Sequence, residues 1–252
     1  MGLDIYAGTY VRYYTRNWKT VNQQFCEKNG FEYRQIRTDD TPPPPVETVM
    51  PSVKDWVENV IQVLHNSGVP SAEIWEENNE KPYYTAKPDW DALDALLLYA
   101  ASKILDKSFP EDFSKNMDIY EHPLMKEIGK CERVNGWSLF KGVCHWIPIN
   151  DSIMFNFPLA NGVNADIAAT LLLKYELMKI NELGWNADRE TILSWSETEG
   201  YPNDAAIKDG KIECVKSHEV YDTESLAKFA FSILWEAVEF SEKERVPIVF
   251  DF

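Results

Sequence analysis

No stretch of this chain reaches the roughly 18 to 20 uninterrupted apolar residues that a membrane-spanning helix requires. The best runs, ALLLYAA around Leu96 and ATLLL around Leu171, are short and flanked by charge, so no span is expected. Cysteine is sparse: Cys26, Cys131, Cys144 and Cys214 are scattered, with no C-x-x-C pair to build a zinc knuckle or a dithiol redox site. Most read as buried thiols, which a reducing compartment keeps unpaired. His65, His122, His145 and His218 are equally dispersed, and none has a second ligand at helical spacing, so neither a metal nor a cofactor is expected. Also missing are a P-loop, a dinucleotide-binding glycine fingerprint, a nucleophile elbow, an HExxH pair and EF-hand spacing. Each of these encodes a definite phosphate, nucleophile or metal geometry, and without them the commonest enzyme classes lose support.

Positive charge is short as well. Lys and Arg number 25 against 41 Asp and Glu, a formal net charge of −16. Such a field opposes attraction to phosphate backbones and anionic lipid, so nucleic acid and membrane are not expected partners. The opening MGLDIY lacks the basic and apolar halves of a secretory signal, and Tyr6 stands where a myristoylation signal wants Ser or Thr. A cytoplasmic location is the expectation. The deficit is uneven: residues 1–38 carry six basic and three acidic residues, a net +3, while the remainder carries 19 against 38, a net −19. The basic segment either docks onto an acidic body or forms an anion site on a protein that otherwise repels anions.

What the chain does have is bulk. Its 252 residues are 44% hydrophobic and 13% aromatic, the balance of a packed globule, and one domain spanning 1–252 is expected. Residues 3–14, LDIYAGTYVRYY, alternate with period two and predict a strand with Leu3, Ile5, Ala7, Val11 and Tyr13 on one face. Tyr6, Tyr10, Arg12 and Tyr14 fall on the other. Thr15–Asn17 then caps a short helix that turns Trp18, Val21 and Phe25 inward and stops at Asn29-Gly30, and FEYRQIR follows as a second strand. Pro42–Pro45 reads as an extended surface connection inside the domain.

Further on, Pro51 at a first helical position opens an amphipathic helix through Leu64, and a second runs from Pro88 to about Lys107. Residues 109–131 read as a polar loop, Asn135-Gly136 as a hairpin turn, and Ala165 to Leu183 as a long helix closed by Gly184. Asp209-Gly210 marks another hairpin, Thr223 to Lys243 a last helix, and Val246 to Phe252 a terminal strand. Strands and helices intermingle without a regular βαβα repeat, which predicts an α+β fold, a mixed sheet with several packed amphipathic helices.

Few residues invite chemistry. Cys144 and His145 are neighbours, but on a strand they point to opposite faces and do not pair. His145 is the best lone acid–base candidate, although a core histidine is the commoner role. DWDALD sets Asp89, Asp91 and Asp94 within about one turn, as an acid–base group or as helix caps. The ligand-binding candidates are Tyr6, Tyr10, Arg12, Tyr14, Arg16, Trp18 and His145, because tyrosines offer flat surface and hydroxyls while arginine grips a carboxylate or phosphate with two donors. The alternative is that this face packs under helices.

The opening MGLDIYAGTYVRYYTRNW resembles that of an uncharacterised bacterial protein family that begins MGLDIY, followed by RYYT and a Trp; GVCHWIP and FNFP are also similar. The resemblance brings no activity, cofactor or catalytic residue with it, and implies a bacterial, cytoplasmic origin. Two functions fit these features. One is an acidic, immunity-like binding protein that engages a basic protein partner through its charge and aromatic anchors among nine tryptophans. The other is a small-molecule-binding protein or enzyme that uses the tyrosine and arginine face.

Overall fold

A computed structural model describes residues 2–33, 42–202 and 218–252, with the backbone of 205–208 and 211–214. The chain opens with β1 (Asp4–Ala7), α1 (Tyr10–Tyr14), α2 (Val21–Asn29), α3 (Val46–Asn66), β2 (Tyr84–Ala86) and α4 (Asp89–Leu105). Then come β3 (Asp112–Ser114), α5 (Pro123–Ile128), β4 (His145–Ile147), β5 (Met154–Pro158), β6 (Asn164–Ala169) and α6 (Thr170–Leu183). It closes with α7 (Arg189–Thr198), β7 (Ala205–Lys208), β8 (Lys211–Cys214), β9 (Val220–Asp222), α8 (Thr223–Glu244) and β10 (Ile248–Asp251). Six strands form one mixed sheet in the order β2-β1-β10-β4-β6-β5, in which only β4 and β6 run parallel; β3–β9 and β7–β8 are small antiparallel ladders. This is the α+β fold that the pattern predicts. Among the described residues no helix is long and apolar enough to cross a membrane.

The sheet is buried on both faces, and the pleat sends alternate side chains into two cores. Leu3, Ile5, Trp146, Ala168, Ile248 and Phe250 face α4 and α8; Tyr6, Ile147, Ile167 and Val249 face α1 and α3. The helix carrying Ala95, Leu96 and Leu98 is apolar nearly all round, as a helix enclosed by its neighbours must be. Cys144 packs on the α4 side, whereas His145 on the α1 side meets Tyr10, so the expectation that these neighbours part company is met.

Several sequence expectations need correction. The strand predicted over 3–14 ends at Ala7, because Thr9 caps α1: its hydroxyl accepts from the Arg12 N–H at 3.3 Å and donates to the Asn78 carbonyl at 2.6 Å. Tyr10, Arg12 and Tyr14 are therefore helical and share no strand face with Tyr6. α2 starts at Val21, where Thr20 and Gln23 form a reciprocal capping box, and Val21 and Phe25 are exposed instead of buried. Phe31–Tyr33 is not a strand, and Arg34–Arg37 lies outside the described residues. Pro42–Pro45 is extended and exposed as expected, but α3 starts directly after it, leaving Pro51 inside the helix.

The stretch 109–131 is not a plain loop; it holds β3, a 3-10 turn at Ile119–Glu121 and α5. Asn135-Gly136 makes no hairpin. It follows a 3-10 turn at Glu132–Val134, and the loop after it is pinned by the buried Glu176 carboxyl, which accepts from the Ser138 N–H, the Ser138 hydroxyl at 2.9 Å and the Leu139 N–H at 3.1 Å. Residues 164–169 are strand β6, so α6 begins at Thr170 and still ends at Gly184. β7 and β8 pair across Lys208 and Lys211 as a two-residue hairpin requires; Asp209-Gly210 itself lies outside the described residues.

Candidate functional site

The N-terminal candidates do gather, on the α1 side of the sheet. Tyr6 and Trp18 rings lie 4.9 Å apart, Tyr10 stacks on Tyr14 at 5.8 Å, and Tyr10 meets Trp56 edge-on at 5.2 Å. The Tyr10 hydroxyl is 3.3 Å from His145 Nδ1. This cluster is packing. Tyr6 and Tyr10 are fully buried, and the Tyr6 hydroxyl donates to the Thr9 carbonyl at 2.9 Å. Arg12 has both terminal nitrogens engaged with backbone, donating to the Asn17 carbonyl at 2.7 Å and the Asn79 carbonyl at 2.6 Å, which ties α1 to the loop before β2. Arg16, half-buried just past α1, takes a left-handed φ of 53°.

Electrostatics agree with that role. Burial pushes the hydroxyls of Tyr6, Tyr10, Tyr13 and Tyr14 up, away from ionisation. Burial likewise lowers His145 to about 4, holding it neutral at physiological pH. Beneath α1, Glu77 accepts from the Val11 N–H at 3.0 Å and Trp75 Nε1 at 2.8 Å; burial raises it to about 7 against the pull of those donors.

Open space lies on the opposite side of the sheet. A cavity of about 250 Å³ sits at the first turns of α4, walled by Trp90, Leu93 and Leu97 from α4, Leu139 and Val143 from the loop before β4, and Phe250 and Phe252 at the chain's end. Asp94, Tyr120 and Cys144 supply its polar side-chain atoms, and among the described residues neither lysine, arginine nor histidine lines it. The three α4 aspartates divide the work. Asp89 pairs with Lys87 at 2.8 Å, and Asp91 accepts from the Asn116 N–H at 3.0 Å. Asp94 has no hydrogen-bond or ion-pair partner among the described residues. Burial, then the charges of Asp91 and Asp118, push its carboxyl up to about 7. Burial also raises the Cys144 thiol, so no ready thiolate nucleophile stands beside it.

A larger, polar cavity of about 440 Å³ opens where α6 begins, but its ions already pair: Arg245 with Glu73 at 3.1 Å, and Glu242 with Lys174 at 2.7 Å. No group of three or more His, Cys, Asp or Glu among the described residues is placed to hold a metal. Sequence reasoning singled out Asp94 and Cys144 but not the rest of the smaller cavity, whose walls come from four separated segments with no shared motif.

Fold and site together define an α+β protein with a mixed six-stranded sheet and an apolar pocket that carries one unengaged carboxyl. No protein-family model matches the chain, and neither a curated protein nor a solved structure is similar to it.

Proposed function

We propose that this chain binds a small, largely apolar molecule in the cavity at the start of α4, with Asp94 as the polar anchor. One observation carries the reading: a half-buried carboxyl without a partner lines a space whose walls are otherwise aromatic and aliphatic, which is the usual make-up of a ligand site. The small-molecule expectation thus moves from the tyrosine and arginine face, where the Tyr6 hydroxyl and both terminal nitrogens of Arg12 are engaged with backbone, to the other side of the sheet. A carboxyl that titrates near 7 both takes and gives protons at neutral pH, so acid–base chemistry on the ligand is within its reach. A bacterial cytoplasm suits the reading, since Cys26, Cys131 and Cys144 are free thiols.

The test is a thermal-shift screen of apolar amines, alcohols and acids against the full chain and against Leu97→Phe, which fills the cavity. Ligands that stabilise the chain should lose that effect in the filled variant; stabilisation that survives unchanged would place binding elsewhere and sink the reading. A basic protein partner keeps the support of the −16 charge. Five of the chain's nine tryptophans do not serve as anchors for one, because Trp75, Trp146 and Trp195 are buried and Trp137 and Trp185 pack against the core.

A further inference from the structure

We infer that the molecule bound in the α4 cavity is a cation, a primary amine carried on an aromatic or alkyl frame. The inference rests on the reading of that cavity as the binding site and names its ligand class. Among the described residues every charged group that acts on the Asp94 carboxyl is an acid: Asp91 from its own helix and Asp118 from the segment before the 3-10 turn. Around it, Tyr120 and Cys144 add hydroxyl and thiol but no positive charge, and Lys115 acts on Asp91, not on Asp94. An anionic ligand would meet repulsion without a donor able to offset it. A neutral one would leave Asp94 facing the charges of Asp91 and Asp118 without compensation.

An ammonium group does the reverse, relieving that repulsion and giving Asp94 the charge-assisted hydrogen bond that it lacks. The walls favour the same choice. Trp90 and Phe252 meet edge to face with centroids 5.2 Å apart, and Phe250 and Tyr120 join them on the lining; aromatic faces attract a cation beside an apolar frame. The space of about 250 Å³ suits a single ring with a short side chain.

Calorimetric titration of the full chain with phenethylamine, 2-phenylethanol and phenylacetate holds the frame nearly constant while the charge changes. At pH 8 the amine should bind at least about tenfold more tightly than the alcohol, a factor set by one charge-assisted hydrogen bond, and phenylacetate should not bind measurably. Asp94→Asn should bring amine and alcohol to similar affinity. Because the carboxyl must be ionised, amine affinity should drop by about tenfold per unit below pH 7, and at pH 6 the heat should depend on buffer ionisation as a proton is released. If the alcohol matches the amine in the native chain, and both are lost in Leu97→Phe, the cavity is the site but the amine assignment is wrong. If amine binding is undisturbed in Leu97→Phe, both readings fall.

Discussion

At the scale of single residues, identity was readable and role was not. DWDALD announces three carboxyls near a helix start, yet only packing shows that Asp89 and Asp91 are engaged while Asp94 is left facing a cavity. Histidine repeats the lesson, since the alternation that separates Cys144 from His145 is legible, whereas the burial that keeps His145 neutral depends on Tyr10 arriving from α1. Gly8 carries no signal in the sequence, but a Cβ there would lie 2.3 Å from the Tyr6 hydroxyl and 2.9 Å from Tyr83 Cβ. The Tyr6 ring is fully buried and has nowhere to retreat. Gly8→Ala should therefore lower stability by about 1–3 kcal/mol, read as a shift of the urea midpoint at constant slope. Gly136→Ala, where an added Cβ meets nothing within 4 Å, is the control and should leave the midpoint in place.

At the scale of elements, the long helices are the most legible: α8 keeps a 3.6-residue apolar period, and α4 is an apolar run too long for a strand, each between clear boundaries. The error at the N-terminus has a physical source. Tyr10 and Tyr14 are four apart, a spacing that puts two residues on one side of a strand and also on one side of a helix. Arg12 is what separates the cases, and Thr9, an N-cap placed inside the apparent alternation, was the local cue to the helix. Proline is ambiguous in the same way: Pro51 suits a first helical position, but Val46 already begins α3. Lacking an N–H, Pro51 leaves the Glu47 carbonyl without its helical donor, and its ring is exposed, so no packing depends on it. Pro51→Ala should raise stability by about 1 kcal/mol, the restored helical bond being partly offset by a more flexible unfolded chain. A lower urea midpoint in this variant would mean that the proline ring holds the chain's path after Pro45.

At the scale of the whole molecule, two buried acids, Glu77 and Glu176, and two partly buried groups, Asp94 and His145, dominate the response to pH. Burial raises Asp94, Glu77 and Glu176 each to about 7. Unfolded, these groups titrate near 4, so between about pH 4 and 7 the folded chain holds protons that the unfolded chain has released. Their contribution is fully present below that window and is lost as pH rises through 7. His145 works the other way: lowered by burial to about 4, it stays neutral in the folded chain while the unfolded imidazole gains a proton below about 6.5. Its contribution is lost as pH falls toward 4. Net charge adds to the first trend, since a chain of −16 with a pI near 4.7 repels itself less as pH approaches 5. Between about pH 4.5 and 6.5 the three acids outweigh the single histidine, so stability should be greatest near pH 4 to 5 and decline by roughly 2–4 kcal/mol by pH 7.5, a range reduced from the sum of the individual shifts because Asp94 is partly solvated. Urea denaturation at half-unit steps from pH 4 to 9 measures this directly. Asp94→Asn should make the decline between about pH 4.5 and 7 shallower, because that is the window in which the folded and unfolded carboxyl differ in protonation. A maximum above pH 7.5 in the native chain would show that Asp94, Glu77 and Glu176 are already ionised at neutrality, and with that the proton-coupled amine binding expected of the α4 cavity would lose its basis.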